Sequence, residues 1–320
     1  MPLDPVRPIS LADVHAARER IAGTIARTPL VRLQNTGDGP EIWLKLENLQ
    51  PINAYKLRGA ANAVALLSDE ERGRGVWTIS AGNAGQGVAY AARQAGVPCA
   101  VVAIETAPKA KLDRMAALGA RLVLVPFDAA WQAMEDRAYP GMDGTFVHPF
   151  DDHGFVAGHG TMALEILEDL PHVAAVAMAI GGGGLITGVG SVFKAVSPAT
   201  RVIGVEPESA HPAALSFRSG APCEFPGWKA TFVDGAGGRG VFPRMWERMR
   251  PVVDEAVVVT LDETKHAMRV LAERSRVIAE GAGALGPAAA LAGKAGQEGP
   301  IVAVISGGNI DLKAFFDLIG

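Results

Sequence analysis

Short runs of apolar, often β-branched residues alternate along this chain with longer stretches whose apolar positions recur at helical spacing. The runs predict strands at Ile42–Leu46, Val76–Ser80, Cys99–Ile104, Arg121–Val125, Val173–Ile180, Val202–Val205, Ala256–Thr260 and Ile301–Ile305. Most are continuously apolar rather than alternating, as strands covered on both faces must be. The intervening spacing predicts helices over Gly85–Ala95, Lys109–Leu118, Gly160–Leu167 and Glu263–Arg276. Ser10-Leu11-Ala12-Asp13 adds a capping signal for a helix reaching about Ile21, because the Ser10 hydroxyl can accept from an orphan amide. Strands alternating with helices specify an α/β fold, an open parallel sheet wrapped by helices. No repeat, low-complexity tract or polar linker interrupts the pattern, and the acidic, glycine-bearing Met134–Gly144 is expected at the edge of a lobe.

Glycine sharpens this picture. It recurs just after predicted strands, at Gly82, Gly181 and Gly307. In open parallel sheets ligands bind at the carboxyl ends of strands, so three such turns suggest one shared crevice. Gly181-Gly182-Gly183-Gly184 precede the helical Leu185-Ile186-Thr187. Backbone amides without side chains can approach a phosphate closely, and the following helix adds the positive end of its dipole. No Lys-Ser/Thr follows, which excludes the nucleoside triphosphate loop. A monophosphate ester fits better than a dinucleotide, and nicotinamide binding stays as the rival.

Composition bounds the function. At 320 residues the chain can bury a large core in two lobes, and its net charge of −4 with no basic run disfavours nucleic acid as a partner. Its first residues lack a cationic segment followed by an apolar one, and its apolar stretches break at glycine before spanning length. A soluble cytoplasmic protein is expected. Two cysteines, Cys99 and Cys223, are too few for a disulfide framework, and Cys99 in its apolar run reads as a structural thiol. His148, His153, His159 and His211 lack metal-like spacing, and His148 reads as structural. No hydrolase elbow is present.

Lys56, in Asn53-Ala54-Tyr55-Lys56-Leu57-Arg58-Gly59-Ala60 just upstream of an Ala-rich helical stretch, is a candidate Schiff-base nucleophile. With it stand Ser80-Ala81-Gly82-Asn83, Gly181-Gly182-Gly183-Gly184-Leu185 and Ser306-Gly307-Gly308-Asn309. These motifs, with Lys45-Leu46-Glu47-Asn48 and Pro51, resemble the threonine/serine dehydratase and serine racemase family, pyridoxal phosphate enzymes of the tryptophan synthase β fold (fold type II). The resemblance runs from Arg27-Thr28-Pro29-Leu30 to Ser306-Gly307-Gly308-Asn309, nearly the whole chain.

The resemblance implies a role for each matching residue. Lys56 would hold pyridoxal 5'-phosphate as an imine and, once displaced by substrate, act as base at Cα. A lysine does this best with its pKa lowered toward working pH. Tyr55, where the family usually has Phe, would support the cofactor ring. Asn83 would bond the ring hydroxyl, Gly181 to Leu185 would cradle the phosphate, and Ser306 would face the pyridine nitrogen. Glu280, in Ala279-Glu280-Gly281-Ala282-Gly283, matches a family glutamate near the cofactor. A neutral hydroxyl at Ser306 makes a weaker electron sink than a carboxylate partner would, which favours expelling a β-substituent over transamination.

Ser80, Ala81, Gly82, Asn83 and Ala84 form the substrate-side loop of the resemblance. Serine racemase-like members have a serine matching Ala81 as second acid/base, and alanine cannot carry a proton, so racemisation is not expected. Ala84 stands where the family usually has His, and Ala54 where it has a small hydroxyl residue. Two outcomes stay open: an enlarged pocket for a bulkier β-hydroxy amino acid such as threonine or phenylserine, or unchanged carboxylate binding by loop amides. Glu206-Pro207-Glu208-Ser209-Ala210 resembles the family's divalent-cation loop, but Ala210 and Pro212 offer no further carboxylate, so no metal is expected.

The expectation is therefore a pyridoxal phosphate-dependent ammonia-lyase eliminating water from an L-β-hydroxy amino acid such as threonine or serine. The alternatives are a racemase, a β-replacement enzyme, or a phenylserine-type dehydratase. Residues 1–52 and 154–320 would form a large cofactor-binding lobe and 53–153 a smaller inserted one, in a homodimer. Because the chain stops soon after Asn309, no C-terminal regulatory domain is expected.

Overall fold

The computed structural model describes residues 5–34, 39–296 and 298–320. The reading of Met1–Asp4 as free of a leader signal lies outside them. The first half contains α1 (Leu11–Ile21), β1 (Leu30–Arg32), β2 (Ile42–Leu46), α2 (Lys56–Ala65), α3 (Asp69–Arg74), β3 (Val76–Ile79), α4 (Asn83–Gln94), β4 (Cys99–Ile104), α5 (Lys109–Ala117), β5 (Arg121–Val125), α6 (Phe127–Asp136) and β6 (Thr145–Phe146). The second half continues with α7 (His153–Asp169), β7 (Ala175–Ala179), α8 (Gly184–Val196), β8 (Arg201–Pro207), α9 (Pro212–Ser219), α10 (Pro243–Met249), β9 (Glu255–Val259), α11 (Leu261–Ser275), α12 (Leu285–Leu291), β10 (Ile301–Ile305) and α13 (Leu312–Ile319).

The strands form two sheets. A six-stranded sheet has the order β1-β2-β10-β7-β8-β9, parallel except for the β1–β2 pair, and a four-stranded sheet has the order β5-β4-β3-β6, all parallel. The core strands β3, β7 and β10 are buried at every residue, which is why their sequences read as unbroken apolar runs. Every predicted strand is present. The sequence pattern did not reveal β1 and β6, which at three and two residues are too short to carry a period.

The helices differ more from expectation. The helix predicted at Gly160–Leu167 is α7, which starts seven residues earlier, because Asp152 caps it by accepting from Phe155 N at 2.7 Å. Its glycines carry low helix propensity but permit close approach. A Cβ on Gly158 would lie 2.4 Å from Arg58 O, and one on Gly188 of α8 would lie 2.3 Å from Val156 O. Lys56, expected just upstream of a helix, is the first residue of α2, with Tyr55 at its N-cap.

A buried ionic network welds α2 to the six-stranded sheet. Arg58, fully buried, directs all its N–H groups inward: to both oxygens of Glu47 at 2.8 Å, to both oxygens of Glu165 at 2.7 and 2.8 Å, and to Thr161 Oγ1 at 3.0 Å. Lys45 adds bonds to Thr28 O at 2.7 Å and Glu165 Oε2 at 2.5 Å. Two cations thus face two carboxylates with their donors used, the condition under which buried charge is tolerated. The pairing outweighs desolvation, holding Glu47 below its ordinary pKa and raising that of Arg58. Lys45 is the member that burial lowers on balance.

Candidate active site

Three strand-to-helix turns converge where the sheets end. The turn after β10 (Ser306–Asn309) meets the segment 52–56 that leads into α2, and the turns after β3 (Ser80–Gly82) and β7 (Gly181–Gly183) lie at the same ends of their strands. Tyr55 N donates to Ser306 O at 3.0 Å, Gly308 N donates to Asn53 O at 2.9 Å, and Ala54 pairs with Gly307 in an antiparallel bridge. Asn53 accepts a left-handed backbone (φ 56°) to make this turn. Asn309 Nδ2 donates to Ile52 O and to Asn83 Oδ1, both at 2.8 Å, and Asn83 Nδ2 donates to Glu280 Oε1 at 2.7 Å. Glu280 N in turn donates to Gly307 O at 3.1 Å. The loops carrying Lys56, Asn83, Glu280 and Ser306 are therefore stitched together by hydrogen bonds.

Lys56 Nζ donates to Pro149 O at 2.7 Å and lies 5.2 Å from the Tyr55 ring and 5.4 Å from the Phe155 ring. Among the described residues no carboxylate pairs with it. Burial alone therefore sets its titration, pushing the amine down to about 7. Two residues further on, Arg58 has the opposite environment.

The glycine turn joins the site through the segment that follows β6. Phe150, next to Pro149, lies flat against Gly182, where an added Cβ would come within 2.3 Å of the ring. A Cβ on Gly181 would lie 3.1 Å from Gly235 O, and one on Gly235 would reach Ala282 at 3.0 Å and Glu280 Oε1 at 4.0 Å. Gly183 has φ +86°, a left-handed conformation that favours glycine, and caps the thirteen-residue α8. Free amides thus face the cleft at the positive end of a helix.

The remaining candidates divide. Leu185 is buried among apolar neighbours in the first turn of α8, so only its backbone can serve the cleft. Ser80 Oγ accepts from Gly82 N at 3.1 Å and shapes its own turn. Ala81 and Gly82 are half-buried, and Ala84 is buried in the first turn of α4. Glu280 is buried, and desolvation with the nearby Asp234 raises its carboxyl to about 7. Ser306 is buried at 4% exposure. Glu206 accepts from Ala213 N at 3.0 Å and Ala214 N at 2.7 Å, so it caps α9, and burial pushes it up to about 8. Among the described residues no cluster of three His, Cys, Asp or Glu could hold a metal ion.

The sequence pattern marks His148 as structural but carries no sign of Pro149 or Phe150. His148 Nδ1 accepts from Phe150 N at 3.3 Å and Asp151 N at 3.0 Å, fixing the turn that presents Pro149 O to Lys56. Burial and four surrounding cations (Arg137, Lys56, Arg244 and Arg248) hold this imidazole neutral, well below its ordinary pKa. A backbone carbonyl leaves no side-chain signal for Pro149. Cys99 is part-exposed rather than buried, and its thiol is pushed up to about 12, which removes it as a nucleophile.

The chain matches the model of the pyridoxal-phosphate dependent enzyme family over residues 21–307. It is 42% identical over 310 residues to an L-threonine ammonia-lyase of Thermotoga maritima, covering 95% of this chain and 77% of that protein. It is 40% identical over 315 residues to a catabolic L-threonine dehydratase of Staphylococcus aureus, covering 95% and 90% respectively. The solved structure of maize serine racemase superimposes with a TM-score of 0.89 at 29% identity, covering 97% of this chain and 98% of that one. A family match of this extent, over a cleft with a neutralisable amine and a bare-amide turn at a helix start, places the chain in the pyridoxal-phosphate dependent enzyme family.

Proposed function

We propose that this protein is a pyridoxal phosphate-dependent ammonia-lyase that converts an L-β-hydroxy amino acid, threonine or serine, to a 2-oxo acid and ammonia. The observation that carries the reading is the Lys56 amine: half-buried, without a carboxylate partner among the described residues, and held by one backbone carbonyl beside glycine-bearing turns. The named activity of relatives at 40% identity and above supports the same reaction.

The residues present fit the cofactor. Lys56 would hold its aldehyde, the amides of Gly181 to Leu185 its phosphate, and Tyr55 one side of its ring. Asn83 Nδ2 spends one hydrogen on Glu280 and has a second for the ring hydroxyl. Ser306 offers a neutral hydroxyl to the pyridine nitrogen, and Glu280 fixes the orientation of Asn83. Pyridoxal phosphate, when bound, supplies the electron withdrawal that makes the substrate α-proton removable.

With a substrate amine in its place on the aldehyde, Lys56 would be free to take that α-proton. An amine near pH 7 is substantially unprotonated under ordinary conditions, as a base must be. Pro149 O orients its lone pair by accepting one N–H, and the neutral His148 keeps that carbonyl in place. Ala81 on the loop beside Asn83 cannot deliver a proton, which disfavours racemisation. The β-hydroxyl would leave as water with the proton taken from Cα, and the released enamine would take up water to give the 2-oxo acid and ammonia.

The lobes are read as 1–52 with 154–320 and as 53–153, the latter supported by the four-stranded sheet lying wholly inside it. Contacts across the cleft, Lys111 to Asp234 and Arg114 to Asn309, suit lobes that close on substrate. No described helix is long and apolar enough to cross a membrane, and a cytoplasmic homodimer is the proposed setting. Incubating the holoenzyme with L-threonine or L-serine and assaying 2-oxo acid and ammonia tests the reading. Release of both in equal amounts supports it, and D-amino acid without 2-oxo acid overturns it in favour of a racemase.

A further inference from the structure

Two cations on one face of α5 reach across the cleft. Lys111 and Arg114 stand three residues apart, the spacing that puts side chains on the same side of a helix. Lys111 Nζ pairs with Asp234, and Arg114 Nη1 donates to Asn309 Oδ1. α5 lies between β4 and β5 of the four-stranded sheet, whereas Asp234 lies between β8 and β9 and Asn309 follows β10, all strands of the six-stranded sheet. Together with Glu280 these residues border one groove along the seam.

The Arg114 contact does not stop at Asn309. Asn309 spends both Nδ2 hydrogens, on Ile52 O and on Asn83 Oδ1, each at 2.8 Å. Asn83 donates to Glu280 Oε1 at 2.7 Å, and the Asn309 backbone amide bonds the same Glu280 carboxyl. Asn83 opens α4 on the four-stranded side, so the chain Arg114–Asn309–Asn83–Glu280 crosses the seam at every link. It is complete only while the two sides are together. Its direction is also set. A guanidinium can only donate and the Ile52 carbonyl can only accept, so Asn309 turns its oxygen to Arg114 and its nitrogen to Asn83. Asn83 must then turn its own nitrogen to Glu280 and the cofactor side. Lys111 acts on the far end of this chain. It offsets Asp234, whose charge raises the Glu280 carboxyl, and so favours the carboxylate that accepts from Asn83.

Arg114 and Asp234 are exposed and Lys111 is half-buried, and contacts of that kind add little to folding. Their geometry serves Asn83 instead. We propose that Arg114 and Lys111 are positioning residues that lock the Asn83 carboxamide when the cleft closes, so that the cofactor's ring hydroxyl gains its donor in step with closure. This rests on the cofactor role proposed for Asn83 and extends it from the site to the seam.

The absorption of the resting holoenzyme tests this without any substrate. A donor to the ring hydroxyl favours its ionised, yellow form over the neutral form, which absorbs in the near ultraviolet. Arg114→Ala should lower the ratio of visible to near-ultraviolet absorbance and reduce kcat about fivefold or more. Arg114→Lys, still a pure donor, should restore most of both. Asn309→Asp keeps an acceptor for Arg114 but cannot donate to Asn83, so it should shift the spectrum as Arg114→Ala does, and the double variant should go little further. Lys111→Ala should move the appearance of the visible form to higher pH. Lys109→Ala, which loses only a pair with Asp113 within the same helix, should match the wild type. A wild-type spectrum and kcat in Arg114→Ala, or fully additive shifts in the double variant, overturns the assignment while leaving elimination intact. No cofactor absorbance in the wild type would overturn both readings, whereas no 2-oxo acid from the wild type with the spectral pattern present would sink the ammonia-lyase reading alone.

Discussion

Lys56 and Arg58 lie two residues apart at the start of one helix, and the protein treats their charges in opposite ways. Arg58 is walled in by Glu47, Glu165 and Thr161, with every donor matched, so its charge is fixed. Lys56 is given one carbonyl and two aromatic rings, so its charge is dispensable. Burial of a cation is costly in both cases, and what differs is whether counter-charges offset it. The same helix turn thus anchors itself with one residue and releases a base from the other. The two buried glutamates repeat the contrast: Glu47 is held ionised by Arg58, whereas Glu280, near Asp234 and bonded to an amide, is raised to about 7.

The contrast breaks most visibly by removing each cation. Lys56→Ala should lower kcat/KM for elimination by about 10⁴-fold or more, since it deletes the base and the covalent anchor. It should leave the stability of the cofactor-free protein equal or higher, read by urea unfolding. Arg58→Ala should do the reverse in stability, costing about 3–5 kcal/mol by leaving buried Glu47 without its ion-pair partner and Glu165 with Lys45 alone. If Lys56→Ala destabilised the apoprotein as much as Arg58→Ala, the two environments would not differ as described.

A smaller effect is expected at the glycine turn. Gly183→Ala forces a side chain into a φ of +86° against Met249, a strain of about 1–3 kcal/mol. Cofactor affinity should fall by about tenfold or more, measured by fluorescence titration, while the apoprotein stays folded.

The pH dependence sharpens the comparison further. The Lys56 value in the folded protein, about 7, lies below the ordinary 10.5. Between those values the unfolded chain binds a proton that the folded one does not, so this group makes stability rise with pH across that window. Glu280 acts oppositely: with its folded value raised from 4.5 to about 7, the folded chain holds the extra proton, and stability falls as pH rises from 4.5 to 7. Lys56→Met and Glu280→Gln should each remove their own slope from apoprotein unfolding curves. In the holoenzyme, kcat should climb through an acidic limb near pH 7 as the base loses its proton.

The fold was legible wherever burial on both faces left continuous apolar runs, as in Val76–Ile79 and Ile301–Ile305. It was illegible where tertiary packing overrode propensity. The glycines of α7 look like helix breakers until Gly158 is seen against the Arg58 backbone. The candidate site was visible in its side chains, Lys56, Asn83, Glu280 and Ser306, through the resemblance of the motifs that carry them. Its backbone parts were not: Pro149 O contributes an atom that every residue has, and His148 announces itself only through the amides it collects.

The Lys56 amine is the group expected to carry the cofactor. Reducing the holoenzyme with borohydride and mapping the pyridoxyl group by peptide mass spectrometry tests it directly. The modification is expected on Lys56 alone, with the visible absorption lost in step. A pyridoxyl group on Lys45, Lys111 or any other lysine, or none on fully loaded protein, would contradict it.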